Sequence, residues 1–287
     1  LDQLLMDFNL DQGDLSGFAQ AKGDFGTVEL LPKIQQLQTN PTYQLKLTTQ
    51  KLNIAALTGD DSLQSCINMV ATINGRDFDP EKLALTANLM VKNSTIAQIE
   101  LDTLFADVKY SNENINIDSL LLLTKSVVLS AYGNYNMKGH SAIDLKTQFI
   151  GLEEVNAFIP LDSLQASGLI LASIRGTVDS LNVQTSLHLA QISYPGYNLD
   201  SLNLDGQAFI VGADTTARIN MQAFNLRSDA MNLDSIVVDV DANMDSVYVD
   251  GRINNPDLSS RFEAGIVPGE VLSIPLADLI IDYKNQH

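Results

Sequence analysis

Two stretches of this chain, roughly a hundred residues apart, carry nearly the same text, and both alternate apolar with polar residues. The first runs from Asp61 to Asp107 and the second from Asp162 to Asp205. Asp61-Ser62-Leu63-Gln64 matches Asp162-Ser163-Leu164-Gln165, followed by Ala71/Ala172, Ile73/Ile174 and Gly75/Gly176. After a short insertion in the first copy the match resumes with Leu83/Leu181, Leu85/Val183, Leu89/Leu187 and Asp102/Asp200. A period this long, made of several alternating segments, specifies a repeated β unit rather than one closed core.

The alternation assigns faces. Leu83, Leu85, Ala87, Leu89 and Val91 share one parity. Leu181, Val183, Leu187 and Leu189 do the same, with Asn182, Gln184, Ser186 and His188 facing the other way. Leu202 and Leu204 continue the pattern, then Ile219, Met221 and Ala223. Val238, Val240, Ala242 and Met244 oppose Asp239, Asp241 and Asn243, while Val247, Val249 and Ile253 oppose Tyr248, Asp250 and Arg252. Strands with one apolar and one hydrated face predict an all-β, mostly antiparallel sheet. The organisation expected is strands and a short connecting helix over residues 1–42, a first repeat over 43–140, a second over 141–255, and the start of a further repeat over 256–287.

Helices are expected to be short and few. Leu52–Leu57 (LNIAAL) and Leu152–Phe158 (LEEVNAF) lose the alternation and read as helical turns at equivalent places in the two copies. Glu29–Gln38 (ELLPKIQQLQ) also reads as a short helix, with Pro32 confined to its start. Asp-Ser followed by an aliphatic residue begins at Asp61, Asp118, Asp162, Asp179, Asp200, Asp234 and Asp245, with Asp102-Thr103-Leu104 as a variant. Asp and Ser side chains bond nearby backbone, so these tripeptides predict turns that open strands.

Charge narrows the partners. With 35 acidic and 17 basic residues the net charge is −18, which repels nucleic-acid phosphates. The single cysteine, Cys66, lies in an alternating strand and reads as a small hydrophobe. No apolar run reaches the ~20 residues that span a bilayer. The chain starts at Leu1 rather than Met and reads as a piece of a longer protein.

Chemistry is sparse. His140 sits in a turn, His188 on a polar strand face and His287 at the terminus, too scattered for a triad or a zinc site. The sequence has no G-x-S-x-G, Walker loop or G-x-G-x-x-G, so neither an enzyme nor a cofactor is expected. Asp239, Asp241, Asn243 and Asp245, with Asp250 at the twelfth place, have the spacing of a calcium loop. The sixth place, which needs Gly, is Met244, and the run alternates with Val238 and Val240, so a hydrated strand face accounts for it better. Two readings of the apolar faces stay open. They bury each other in a sandwich core, or they line an open curled sheet that takes apolar ligands. Few helices to cover the sheet, and growth of the repeat along one axis, favour the second.

A strand, a short helix (LNIAAL or LEEVNAF), then Gly168–Thr177 (GLILASIRGT) and the stretch 192–206 (ISYPGYNLDSLNLDG) together resemble the AsmA-like family and its relative TamB. The resemblance covers Tyr43 to Asn255, and the Asp-Ser-Leu tripeptides look like Bacteroides-type versions. It implies an elongated, curled, taco-like β groove in the periplasm of a Gram-negative bacterium, tethered by an inner-membrane anchor outside this segment. The groove would conduct phospholipid acyl chains toward the outer membrane, with envelope-assembly proteins as further partners. The groove lining would then be Leu83, Leu85, Leu89, Val91, Leu181, Val183, Leu187, Leu189, Leu202, Leu204, Ile219, Met221, Val238, Val240, Met244, Val247, Val249 and Ile253. The competing expectation is a structural, adhesive or protein-assembly β repeat with a self-filled core.

Overall fold

The computed structural model describes residues 1–79, 81–96, 99–152, 163–212, 214–267 and 273–283. The chain divides into two compact units, Leu1–Lys138 and Gly139–His287. Each is an antiparallel meander in which every strand pairs with its sequence neighbour.

In the first unit the strands are β1 (Gln3–Asp11), β2 (Asp14–Gly23), β3 (Gly26–Gln35), β4 (Thr42–Leu52) and β5 (Ser65–Arg76). They continue as β6 (Ala84–Ile96), β7 (Ile99–Ser111), β8 (Asn114–Thr124) and β9 (Val127–Asn136). One helix, α1 (Ile54–Thr58), and a 3-10 turn at Asp61–Leu63 join β4 to β5. Asn53 caps α1, its side-chain oxygen accepting from the Ala55 amide at 3.1 Å and the Ser65 amide at 3.2 Å. Gly59 ends the helix in the left-handed conformation (φ 77°) that an L side chain resists. The expected helix at Leu52–Leu57 is therefore present, one turn long and shifted by about a residue. Its counterpart at Leu152–Phe158 lies mostly outside the described residues.

The second unit holds β10 (Ser141–Phe149), β11 (Gln165–Thr177), β12 (Ser180–Tyr194), β13 (Tyr197–Val211) and β14 (Asp214–Ser228). β15 (Asn232–Ala242), β16 (Val247–Asn254), β17 (Leu258–Val267) and β18 (Ser273–Tyr283) complete it. Among the described residues no ladder joins β1 to β9 or β10 to β18, so neither unit closes on itself. The all-β, antiparallel class read from the alternation is the observed one. Among the described residues no helix is long and apolar enough to cross a membrane, which says nothing of strands.

Two expectations fail for physical reasons. Glu29–Gln38 is not a helix: residues to Gln35 form β3. Val28, Leu30, Pro32 and Ile34 hold period 2, and that pattern outweighs the helix propensity of the KIQQ run. Pro32 pairs with Leu45 of β4, but it lies where the β2–β3 ladder lapses between Ala19↔Leu30 and Ser16↔Lys33, so its missing N–H costs no bond there.

The Asp-Ser-aliphatic tripeptides are only partly turns. Asp61 opens the 3-10 turn, and Asp179 and Asp245 lie between strands. Asp102, Asp118, Asp200 and Asp234 lie inside β7, β8, β13 and β15. Each is skipped by the cross-strand register: Leu101 and Thr103 pair with β8 but Asp102 does not, and Leu199 and Ser201 pair with β14 but Asp200 does not. The Asp200 carboxylate accepts instead from Asn225 Nδ2 at 2.9 Å. Asn225 is itself at φ 56°, and in β12 Gln191, which the same row skips, is at φ 55°. The register shifts at Asp102 and Asp118, a bulge, and only skips a pair at Asp200 and Asp234; either break asks of a side chain what a turn asks, to find a local partner, so the tripeptide serves both. Asp162 is outside the described residues.

Candidate functional site

Directly opposed residues of antiparallel strands point to the same face, so the register converts the alternation into rows running across the strands. In the second unit one row reads Thr147, Ile170, Leu187, Leu204, Met221, Val238, Gly251, Phe262 and Leu279, one residue from each strand β10 to β18. A parallel row reads Phe149, Gly168, Leu189, Leu202, Ala223, Ile236, Ile253, Ser260 and Ile281. Ile219, Val240 and Val249 share a third row, and Val183, Ala208, Ala217, Ala242 and Val247 a fourth. Leu181 pairs with Ile210 at the end of the same face.

The first unit is built the same way. Leu30, Leu47, Ala71, Leu89, Ala106, Leu120 and Ala131 form one row across β3 to β9. Val91 stands between Met69 and Leu104, and Leu85 between Gly75 and Tyr110. Of the eighteen residues expected to line an apolar surface, sixteen lie on strands with their side chains on this face. The other two do not. Leu83 precedes β6, its amide donating to the Asp79 carbonyl at 2.7 Å. Met244 belongs to the β15–β16 turn, where Asn243 bonds the amides of Asp245 and Ser246, and it is 61% exposed. The alternation ran straight through that turn because Asn243, Met244 and Asp245 happen to keep its parity.

The face is only half-covered. Among the described residues no large side chain is buried to less than 2% exposure. Leu187, Leu204, Met221, Val238 and Val240 are all intermediate, and Ile219 is 37% exposed. The buried members are Val91 at 3% and Ala131, Phe149 and Ala223 at 6%. Neighbours within the sheet supply the half-coverage, because strands ~4.8 Å apart let adjacent aliphatic side chains touch.

Glycines and aromatic rings sharpen the surface in a way the alternation does not announce. Gly251 pairs with Phe262, and a Cβ built on it would lie 2.0 Å from Phe262 Cζ. Gly75 pairs with Tyr43 across β4 and β5, where the same atom would lie 2.3 Å from the Tyr43 ring. Phe8 covers Gly17 at 2.2 Å. Each ring lies down over the gap its glycine leaves, which keeps the apolar face low there. Tyr43 also stacks on Phe78, centroids 5.2 Å apart, and burial raises its phenol pKa above the ordinary value.

The opposite face of the second unit is mostly polar and cross-linked, whereas that of the first unit carries an apolar row of its own, Val70, Met90, Phe105 and Leu121. Asn220 donates to Asp239 at 2.7 Å, Arg218 pairs with Asp241 at 2.6 Å, and Tyr248 donates to Glu263 at 3.0 Å. The Asp239–Asp250 pair of the calcium-like run stands directly opposed across β15 and β16, with Glu263 opposite Asp250 and Asp278 opposite Glu263. Opposed like charges destabilise a sheet, and Arg261 answers them by bonding Asp250 at 2.7 Å and Glu263 at 2.6 Å. Those carboxylates raise the Arg261 pKa further. Arg261→Gln is expected to lower the melting temperature at 10 mM salt. The deficit should shrink by 500 mM, where the screening length has fallen from about 30 Å to a few ångströms. Thermal melts at the two ionic strengths measure it, and a salt-independent deficit would contradict the ladder.

One cluster has the connectivity of a nucleophilic triad: Ser186 Oγ lies 3.2 Å from His188 Nε2, and His188 Nδ1 lies 2.9 Å from Asn203 Oδ1. Ser186 Oγ, however, donates to Asp205 at 2.6 Å. The backbone of β12 is paired with β11 on one side and β13 on the other, so it offers no free N–H for an oxyanion. The cluster ties β12 to β13.

Fold and face together define two antiparallel β meanders, each with an aliphatic face, and in the second unit the other face is largely polar and hydrogen-bonded. No family model, curated protein or solved structure matches the chain.

Proposed function

We propose that this chain is a periplasmic segment of an AsmA/TamB-like protein whose aliphatic face shields and conducts phospholipid acyl chains between inner and outer membrane. The observation that carries the reading is the set of aliphatic rows, unbroken by charge across nine strands of the second unit and left half-exposed. A sandwich core would bury those side chains. A lipid conduit needs them accessible. Each methylene of a chain laid on such a surface gains about 0.8 kcal/mol if fully buried, so a smooth lining holds lipid without polar contacts. Repetition of similar rows supplies successive sites of similar affinity, which movement requires. The resemblance of residues 43–255 to the AsmA-like family supports the same reading and supplies the compartment and the inner-membrane tether.

The test is direct. Purified chain extracted with organic solvent should yield phospholipid by mass spectrometry. A photo-crosslinking residue at Leu187 or Val240 should capture lipid, whereas one at Gln184 on the polar face should not. Lipid-free protein, or equal crosslinking from both faces, would sink the reading.

A further inference from the structure

Each copy of the duplication ends a strand pair on a cavity of the same build. In the first unit, Asn74, Gly75 and Arg76 close β5 opposite Thr86, Leu85 and Ala84 of β6, and Lys109 and Tyr110 of β7 complete a cavity of about 410 Å³. In the second, Arg175, Gly176 and Thr177 close β11 opposite Asn182, Leu181 and Ser180 of β12, with His140 beside them, around about 380 Å³. The glycine-opposite-leucine pair recurs as Gly75↔Leu85 and Gly176↔Leu181. Both glycines are required. Tyr43 occupies the Cβ space of Gly75, and Gly176, at φ 134°, would place a Cβ 2.0 Å from the Ser180 carbonyl oxygen.

The first cavity joins the two faces of the sheet. Gly75, Leu85 and Tyr110 belong to the apolar face, whereas Asn74, Thr86 and Lys109 point to the hydrated one. Its lining has two cations and no carboxylate, in a chain with 35 acids and 17 bases. Arg76 makes no ion pair within 4.0 Å among the described residues; it stands beside Asp77, whose carboxyl is held low mainly by the Asp79 amide and also by the Lys82 and Arg76 charges. Lys109 bonds Asp118 from outside the lining, and that hydrogen bond raises the ammonium pKa, which keeps the charge in place.

We propose that this cavity seats a phosphate group, and, resting on the acyl-chain reading of the adjoining face, that the phosphate is the headgroup of a bound phospholipid. The planar Arg76 fork suits two phosphate oxygens and Lys109 supplies a point charge. Asn74 and Thr86 add neutral donors. Leu85 and Tyr110 lead from the same cavity onto the aliphatic rows, so headgroup and chains find their surfaces side by side. The repeat-related cavity is weaker. Arg175 already gives one terminal nitrogen to Asp144 and the other to the carbonyls of Ile143 and Ile174 at 2.8 and 3.0 Å.

Three probes separate the parts: dihexanoyl phosphatidic acid, dihexanoylglycerol and inorganic phosphate, each titrated by calorimetry into wild type, the Arg76→Gln/Lys109→Gln double variant and Arg175→Gln. The double variant should lose at least tenfold in phosphatidate affinity with dihexanoylglycerol unchanged, and Arg175→Gln less than threefold. Inorganic phosphate that binds wild type as tightly as phosphatidate, and is lost in the same double variant, would keep the site and assign it to a soluble phosphate. Phosphatidate held undiminished by the double variant, or lost in step with dihexanoylglycerol, overturns the headgroup site. Wild type that binds phosphatidate but not dihexanoylglycerol overturns the acyl-chain reading alone.

Discussion

Leu204→Asp is expected to strip lipid from the chain. Leu204 lies at the middle of the longest aliphatic row, between Leu187 and Met221, half-buried by both. A carboxylate there resists desolvation, so an acyl chain must lift off that part of the row. Losing contact with three or four methylenes costs about 2–3 kcal/mol, roughly 30- to 150-fold in affinity. Gln184→Asp places the same charge on the exposed polar face of the neighbouring strand β12 and should change affinity little. Binding of a fluorescent fatty acyl probe to the two variants measures the contrast. Equal retention would mean that the aliphatic face is not where the chain lies. The half-exposure of Leu204 makes the variant tolerable to the fold, because Asp at that site keeps much of its hydration.

Gly251→Ala is expected to destabilise the second unit. An added methyl would meet the Phe262 ring at 2.0 Å. Replacing strand Gly with Ala normally gains about 0.4–1 kcal/mol through the unfolded chain. Driving a ring from its seat costs about 1–3 kcal/mol, so overpacking wins and a net loss of about 1–2 kcal/mol is expected. Phe262→Leu in the Gly251→Ala background should recover part of it, since a leucine can turn away from the new methyl. The two sites then show coupling in a double-mutant cycle. Hydrogen exchange over β16 and β17 reads the effect locally, which suits a repeat array whose global unfolding need not be two-state. A Gly251→Ala variant as stable as wild type would mean the ring does not lie over the glycine.

The misplaced Met244 and the Asp-Ser tripeptides share one source. Period 2 reports which way a side chain points, and nothing about whether its backbone is paired. Met244 kept the parity while standing in a turn, and Asp102, Asp118, Asp200 and Asp234 kept a turn's vocabulary while standing inside strands. Ile170, Ile236 and Phe262 belong to the aliphatic rows as firmly as Leu187 does; Phe262, between Arg261 and Glu263, alternates with polar neighbours, whereas Ile170, between Leu169 and Leu171, and Ile236, followed by Val237, do not. The covering of Gly251 by Phe262 and of Gly75 by Tyr43 had no local signal, because each partner lies on another strand.

Alternation and duplication by themselves determined that the chain is all-β, that its strands are antiparallel, and that one face of each unit is aliphatic. They could do so because a strand's side-chain direction is set within two residues, by the backbone alone. Only the tertiary structure decided which residues stand side by side, because register is fixed by pairing between strands. That pairing turned separate apolar stripes into continuous rows and left them half-covered. It also brought Arg76, Lys109 and Tyr110, from two different strands, to one cavity beside the Gly75–Leu85 pair.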